Sequence, residues 1–152
     1  LIRYPTDTPM VMDVDLLKKN TNENPVYYVQ YAHARICAVL RNAKELGINY
    51  GLEFYSPELL THERERELIG LLAQYPKIVA SAAEMRQPHR VARYIEEVAG
   101  QFHRFYNDCR VLPLGDEKPT ELNSSRASLS RATAQVISNG LDLLGVSAPE
   151  KM

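Results

Sequence analysis

Apolar positions along the chain recur at three- and four-residue steps rather than in alternation, so the pattern predicts helices and no strand-dominated region. The clearest run holds Val29, Ala32, Ile36, Val39, Ala43 and Leu46. Asn24 followed by Pro25 supplies a cap and a first-turn proline ahead of it, and Gly47 is placed to end it. A second helix is expected from near Pro57 or Thr61, carrying Leu68, Ile69, Leu71 and Leu72. Tyr75-Pro76 should break it, because proline disfavours helix at the residue before it. A third, shorter helix is expected over about residues 77–85. After Gln87-Pro88 a long fourth helix carries Val91, Tyr94, Ile95, Val98, Phe102, Phe105 and Cys109 on one stripe. The last helix is expected from Glu121 to Leu144, capped by Gly145. Residues 48–57 read as a loop whose aromatics cap the core, residues 111–120 as a Pro- and Gly-containing loop, and residues 1–20 as an irregular lead-in. The expected fold class is all-α, a helical bundle of about five helices.

Composition narrows the function classes. A chain of 152 residues fits one domain. Its formal net charge of -1 exerts no general pull on nucleic acid, so any basic footprint must be local. No apolar run approaches the roughly 20 residues needed to span a bilayer, and no signal peptide is visible. Cys37 and Cys109 lie far apart at positions expected mid-helix, which suits reduced thiols in a cytosolic protein. The chain begins with Leu1 rather than Met, and reads as a piece of something longer.

Candidate chemistry points to binding rather than catalysis. Opposite Val29 and Ile36, the first helix carries Tyr28, Tyr31, Arg35 and Asn42. Aromatic rings interleaved with cations suit single-stranded nucleic acid, since every base offers a π-face beside a phosphate. The same spacing also serves tyrosines that pack on neighbouring helices with hydroxyls at the rim, and spacing alone favours that packing. On the fourth helix Arg90, Arg93 and Arg104 share one side with Glu97 between them. They form either a stripe that grips phosphates or a solvated face with internal ion pairs. The run HERERE, residues 62–67, reads as a solvated face of alternating charge. The four histidines form no HxxxH or HExxH pair and the cysteines no CxxC, so a zinc site is unsupported. Cys109 and His103, six residues apart, lie about 240° apart around a helix and cannot act as a nucleophilic pair. Seven glycines leave little material for a phosphate loop.

Four segments carry a resemblance. NENPVYYVQYAHARI (22–36) is similar to the segment that follows the class I catalytic domain in bacterial arginyl-tRNA synthetases. RYPTDTPMVMDVDL resembles the family's run just before that helix, and RQPHRVARYIEEVAGQFHRFYNDCRVL resembles its later helix ending in an FY dipeptide. RATAQVISNGLDLLGVSAPEKM is similar to the family's C-terminus. The resemblance covers essentially the whole chain, in order.

It implies the C-terminal DALR-type anticodon-binding domain, with residues 21–152 forming that domain and 1–20 following an absent catalytic domain. The parent would couple arginine to its tRNA using ATP and magnesium through an arginyl-adenylate, in the cytoplasm. Signatures of the HIGH and KMSKS type are absent here, so the fragment itself is expected to hold no cofactor and to be inactive. The implied partners are the anticodon arm of arginine tRNA and the chain's own catalytic domain, with no membrane and no DNA. Tyr106 and Arg110 match the family's anticodon-loop contacts, and Met152 with its α-carboxylate matches the residue closing the pocket. Tyr28, Gln30, Tyr31 and Arg35 are second candidates, because their helix equally suits a seam with the catalytic domain. Arg90, Arg93 and Arg104 are candidates for backbone phosphates. The alternative function is a helical docking module with little direct RNA contact.

Overall fold

The computed structural model describes residues 14–15 and 24–152; the lead-in expected over residues 1–20 lies outside them apart from Val14 and Asp15. Asn24 opens the first helix as its chemistry dictates. Its side-chain oxygen accepts from the backbone N–H of Val26 at 3.1 Å, satisfying a donor that the helix leaves unpaired. Helix α1 then runs Pro25–Glu45, followed by α2 (Glu63–Leu72), α3 (Tyr75–Glu84), α4 (His89–Asp108) and α5 (Glu121–Leu143). Single 3-10 turns at Leu52–Phe54 and Pro57–Leu59 interrupt the long α1–α2 connection, and no strand occurs among the described residues. Among the described residues the chain forms the expected all-α bundle of about five helices.

Two glycines end helices for a stated reason. Gly47 (φ 74) and Gly145 (φ 70) take the left-handed conformation that lets the next residue bond back across the helix end. Ile48 donates to the Ala43 carbonyl and Val146 to that of Leu141, both at 2.9 Å.

Helices α1, α4 and α5 pack pairwise around one core, with α2 against α4 and α5 and α3 against α4. Phe102, Phe105 and Val98 of α4, Ile36 of α1, Ile137 of α5 and Leu68 of α2 are fully buried there. Every apolar residue expected on the α4 stripe is buried; on α1 the run is buried through Ala43, and Leu46 is exposed. Tyr50 and Tyr55 pack on the core from the 48–57 loop, as expected of its aromatics, whereas Phe54 is exposed. That loop is tied to α5 by serines: Gly51 and Ser56 donate their backbone N–H groups to Ser128 and Ser125, each at 3.0 Å.

Four expectations are corrected. The second helix starts at Glu63, because Pro57–Leu59 makes its own turn and His62 caps the helix behind it. The break after α2 falls at Ala73 and Gln74, and Pro76 belongs to the first turn of α3, where its missing N–H loses no bond. Cys109 is the extended residue that ends α4 rather than a mid-helix position; burial, then Glu65, pushes its thiol up to about 11. HERERE is not wholly solvated. Glu65 is fully buried, accepting from the His62 backbone N–H at 2.8 Å and from Arg126 Nε at 2.6 Å.

Candidate nucleic-acid interface

Successive helix residues rotate by about 100°, so Tyr28, Tyr31 and Arg35 fall on one side of α1, away from the core-facing Val29 and Ile36. The structure sets that side against α4. Tyr28 is half-buried, its ring 5.5 Å from His103, and burial raises its hydroxyl pKa against the lowering charge of Arg104. Tyr31 stays 38% exposed and stacks on Tyr27, ring centroids 6.3 Å apart and planes 9° apart. Arg35 reaches across to α4. Its guanidinium carbon lies 4.7 Å from the centroid of the Tyr106 ring, and its Nη1 donates to His103 Nδ1 at 3.3 Å. Arginine has no acceptor, so His103 must carry its proton on Nε2. Burial, then Arg35, holds the imidazole pKa below its ordinary value.

Tyr106 also borders a concavity of about 800 Å³ at the end of α4, lined there by Asn107, Asp108 and Arg110 and across from them by Glu117 and Lys118 of the 111–120 loop. It brings an aromatic side chain together with amide, carboxylate and cationic groups, a mixture suited to an unstacked base. Arg110 is not an unengaged cation. It meets Glu117 at 2.9 Å, and both side chains are more than half exposed. The Leu114 N–H, then Arg110, holds the Glu117 carboxyl below the usual carboxylate range.

The remaining arginines divide by what they touch. Arg64 is matched by Glu67 and Asp108, and Arg126 by Glu65. Arg90 donates to Gln87 Oε1 at 2.7 Å and Arg104 to Gln101 Oε1 at 3.0 Å, while Arg93 is exposed. Neutral amide oxygens orient a guanidinium without cancelling its charge. Among the described residues Arg90, Arg93 and Arg104 form no ion pair, so the expectation of internal pairing with Glu97 is not met.

The chain terminus follows the other flank of α1. Gln30 Nε2 donates to the Ser147 carbonyl at 2.8 Å, His33 Nδ1 to that of Pro149 at 2.9 Å, and Arg41 to that of Glu150 at 3.2 Å. Gln30, expected beside Tyr28 and Arg35, is about 160° and 140° from them around the axis and anchors the tail. Tyr27, Tyr31 and Asn42 therefore lie on a strip of α1 between the tail anchors and the α4 groups. Met152 is 56% exposed and is not among the residues lining the concavity by Tyr106. Cys37 Sγ sits 3.8 Å from His33 Nδ1, but that nitrogen already donates to Pro149, and burial, then Glu150, raises the thiol pKa. No activated nucleophile results.

Two residues at this surface had no place in the set drawn from the sequence. His103 shares a helix with Tyr106, yet its hydrogen bond is to a residue 68 positions away. Glu117 faces Arg110 only because the loop folds back. Spacing carries neither signal.

Known proteins align with this chain throughout. The DALR anticodon binding domain family matches residues 29–152. An "Arginine--tRNA ligase" of Clavibacter sepedonicus is 55% identical over 152 residues, all of this chain and 27% of that protein. One of Pseudarthrobacter chlorophenolicus is 54% identical over 155 residues, again all of this chain and 28% of the relative. The chain thus spans about a quarter of the length of these relatives. Among solved structures, the Thermus thermophilus arginyl-tRNA synthetase superposes with a TM-score of 0.67 at 31% identity, over 90% of this chain and 22% of that one. The arginyl-tRNA synthetase from Plasmodium falciparum shares the fold with a TM-score of 0.76 at 24% identity, over 99% of this chain and 25% of its own.

Proposed function

The chain belongs to the DALR anticodon-binding domain family, and from that premise we propose that it grips the anticodon arm of arginine tRNA for an arginyl-tRNA synthetase. The observation that carries this reading is the Arg35–Tyr106 contact, which joins the aromatic strip of α1 to the concavity at the end of α4. Residues 21–152 form the binding unit and residues 1–20 lead in from a catalytic part. That part would couple arginine to tRNA with ATP and magnesium. Among the described residues no three histidine, cysteine or acidic side chains converge to hold a metal ion. We place the work in the cytoplasm, where tRNA is charged; among the described residues no helix is long and apolar enough to cross a membrane.

The division of labour follows from the groups present. Tyr106 and Tyr31 offer ring faces to unstacked bases, while Arg90, Arg93 and Arg104 meet phosphates. Arginine codons share a middle G, so the matching anticodon base is C, whose exocyclic amine needs an acceptor. Asn107 and Glu117 offer side-chain acceptors at the concavity, and the α-carboxylate of Met152, two residues beyond the anchored Glu150, is a further candidate acceptor. The second reading, a docking module, draws on Leu46, Leu52 and Phe54. These are exposed apolar side chains that another part of a longer protein would cover.

Competition separates the two readings. Labelled arginine tRNA bound to the chain should be displaced by its anticodon stem-loop and not by an acceptor-stem minihelix. Displacement by the acceptor stem alone contradicts the proposal.

A further inference from the structure

We propose that His103 is a positioning residue whose neutral ring holds Arg35 over Tyr106, so that engagement of RNA by this face weakens as the imidazole takes up a proton. The inference rests on the RNA-binding reading above and adds to it a residue and a pH dependence.

The geometry leaves the imidazole one role. Its Nδ1 lies 3.3 Å from Arg35 Nη1, and only an unprotonated nitrogen can accept there. The ring is fixed by its neighbours, with Tyr28 at 5.5 Å, Tyr31 at 6.3 Å and Phe102 at 6.1 Å between centroids. Arg35 is long and flexible, and among the described residues His103 Nδ1 is the acceptor that favours the rotamer laying its guanidinium on Tyr106. Protonation would place an N–H on Nδ1, facing an arginine N–H, and two like charges across the contact. Among the described residues the titratable and charged groups that face His103 from α1 are Arg35, Tyr28 and Tyr31; on its own helix its ring neighbour is the neutral Phe102. None of them offers an acid to stabilise an imidazolium. Burial, then Arg35, accordingly keeps the group neutral to lower pH than the ordinary value of 6.5. Nothing else in the proposed binding scheme uses this histidine.

The test is a titration of the chain with a labelled arginine anticodon stem-loop at constant ionic strength, from about pH 8 to about pH 5.5, the range in which histidines switch. Two variants accompany the wild type. His103→Asn sets an amide oxygen near the position of Nδ1, accepting from Arg35 without titrating. His103→Phe fills the ring volume and accepts nothing. Wild-type binding should weaken toward the acid end, by less than the roughly tenfold that an unshifted imidazole would allow at about pH 5.5, because burial keeps part of the population neutral there. His103→Asn should bind like the wild type at the alkaline end and stay flat, and His103→Phe should be weak throughout. The other three histidines are present in every variant and cannot create the difference. Binding that tightens as pH falls, as for an imidazolium on phosphate, overturns the proposal, as does an Asn variant that follows the wild-type profile. Should the Phe variant melt early, the Asn variant alone decides. Absence of wild-type binding at the alkaline end instead overturns the RNA-binding reading, and this inference with it.

Discussion

The guanidinium of Arg35 on α1 lies 4.7 Å from the ring centroid of Tyr106 on α4, so the two helices share one cation–aromatic contact at the surface assigned to RNA. Tyr106 also lines the concavity at the end of α4. Tyr106→Leu keeps apolar volume beside Phe102 and removes the stacking face. It should weaken anticodon stem-loop binding by about 1–3 kcal/mol, the usual worth of one base stack, whereas Tyr106→Phe should lose far less. Binding titrations paired with thermal melts check this, and an equal effect of Leu and Phe would point to the hydroxyl instead.

Removing Lys151 and Met152 should lower tRNA affinity with little change in melting temperature. The last anchored carbonyl is that of Glu150 on Arg41, so the clamp made by Gln30, His33 and Arg41 survives the truncation. Unchanged affinity removes the terminus from the interface; a large fall in melting temperature shows that the last two residues hold the fold.

Glu65→Ala should destabilise the fold by about 3–5 kcal/mol, because it strands the largely buried Arg126 guanidinium and also removes an acceptor from the α2 cap. Glu65→Leu with Arg126→Met should recover much of that loss, since replacing a buried pair with apolar groups is often neutral. Urea unfolding of the single and double variants measures both. A loss below about 1 kcal/mol, the range of surface pairs, would contradict the buried-pair account.

Gly140→Ala should destabilise despite alanine being the better helix former by about 1 kcal/mol. A methyl group at this buried position on α5 would meet Cγ2 of Ile95 on α4 inside van der Waals contact. Overpacking of this kind typically costs about 1–3 kcal/mol. A double-mutant cycle with Ile95→Ala should show favourable coupling. If Gly140→Ala raises the urea midpoint, the close α4–α5 approach is not limiting.

How much of this was legible in the sequence depends on whether a signal is local. Asn24-Pro25, Gly47, Gly145 and the α4 stripe act within a few residues, so helix ends and core faces read directly from their order. Tyr28, Tyr31 and Arg35 could be placed on one face by rotation alone. Glu65 could not be found that way, because its charged partner is Arg126, 61 positions away. A weak local trace existed in His62 followed three residues later by Glu65, the form of a capping box with histidine in the usual serine place. Gln30 sits in the same short segment as the tyrosines, yet its partner is Ser147, 117 positions away. Side-chain assignments that depend on such distant pairings become visible only once the helices are packed.

The central claim is that this face reads the anticodon, and base discrimination tests it most directly. The chain should be titrated with the arginine anticodon stem-loop and with a variant in which the middle C is replaced by U, which presents an acceptor where cytosine presents its amine. A mismatch at a read base is expected to cost about 1–3 kcal/mol, and the account predicts that loss at the middle base. Equal affinity for both stem-loops, or no binding of either, would contradict it.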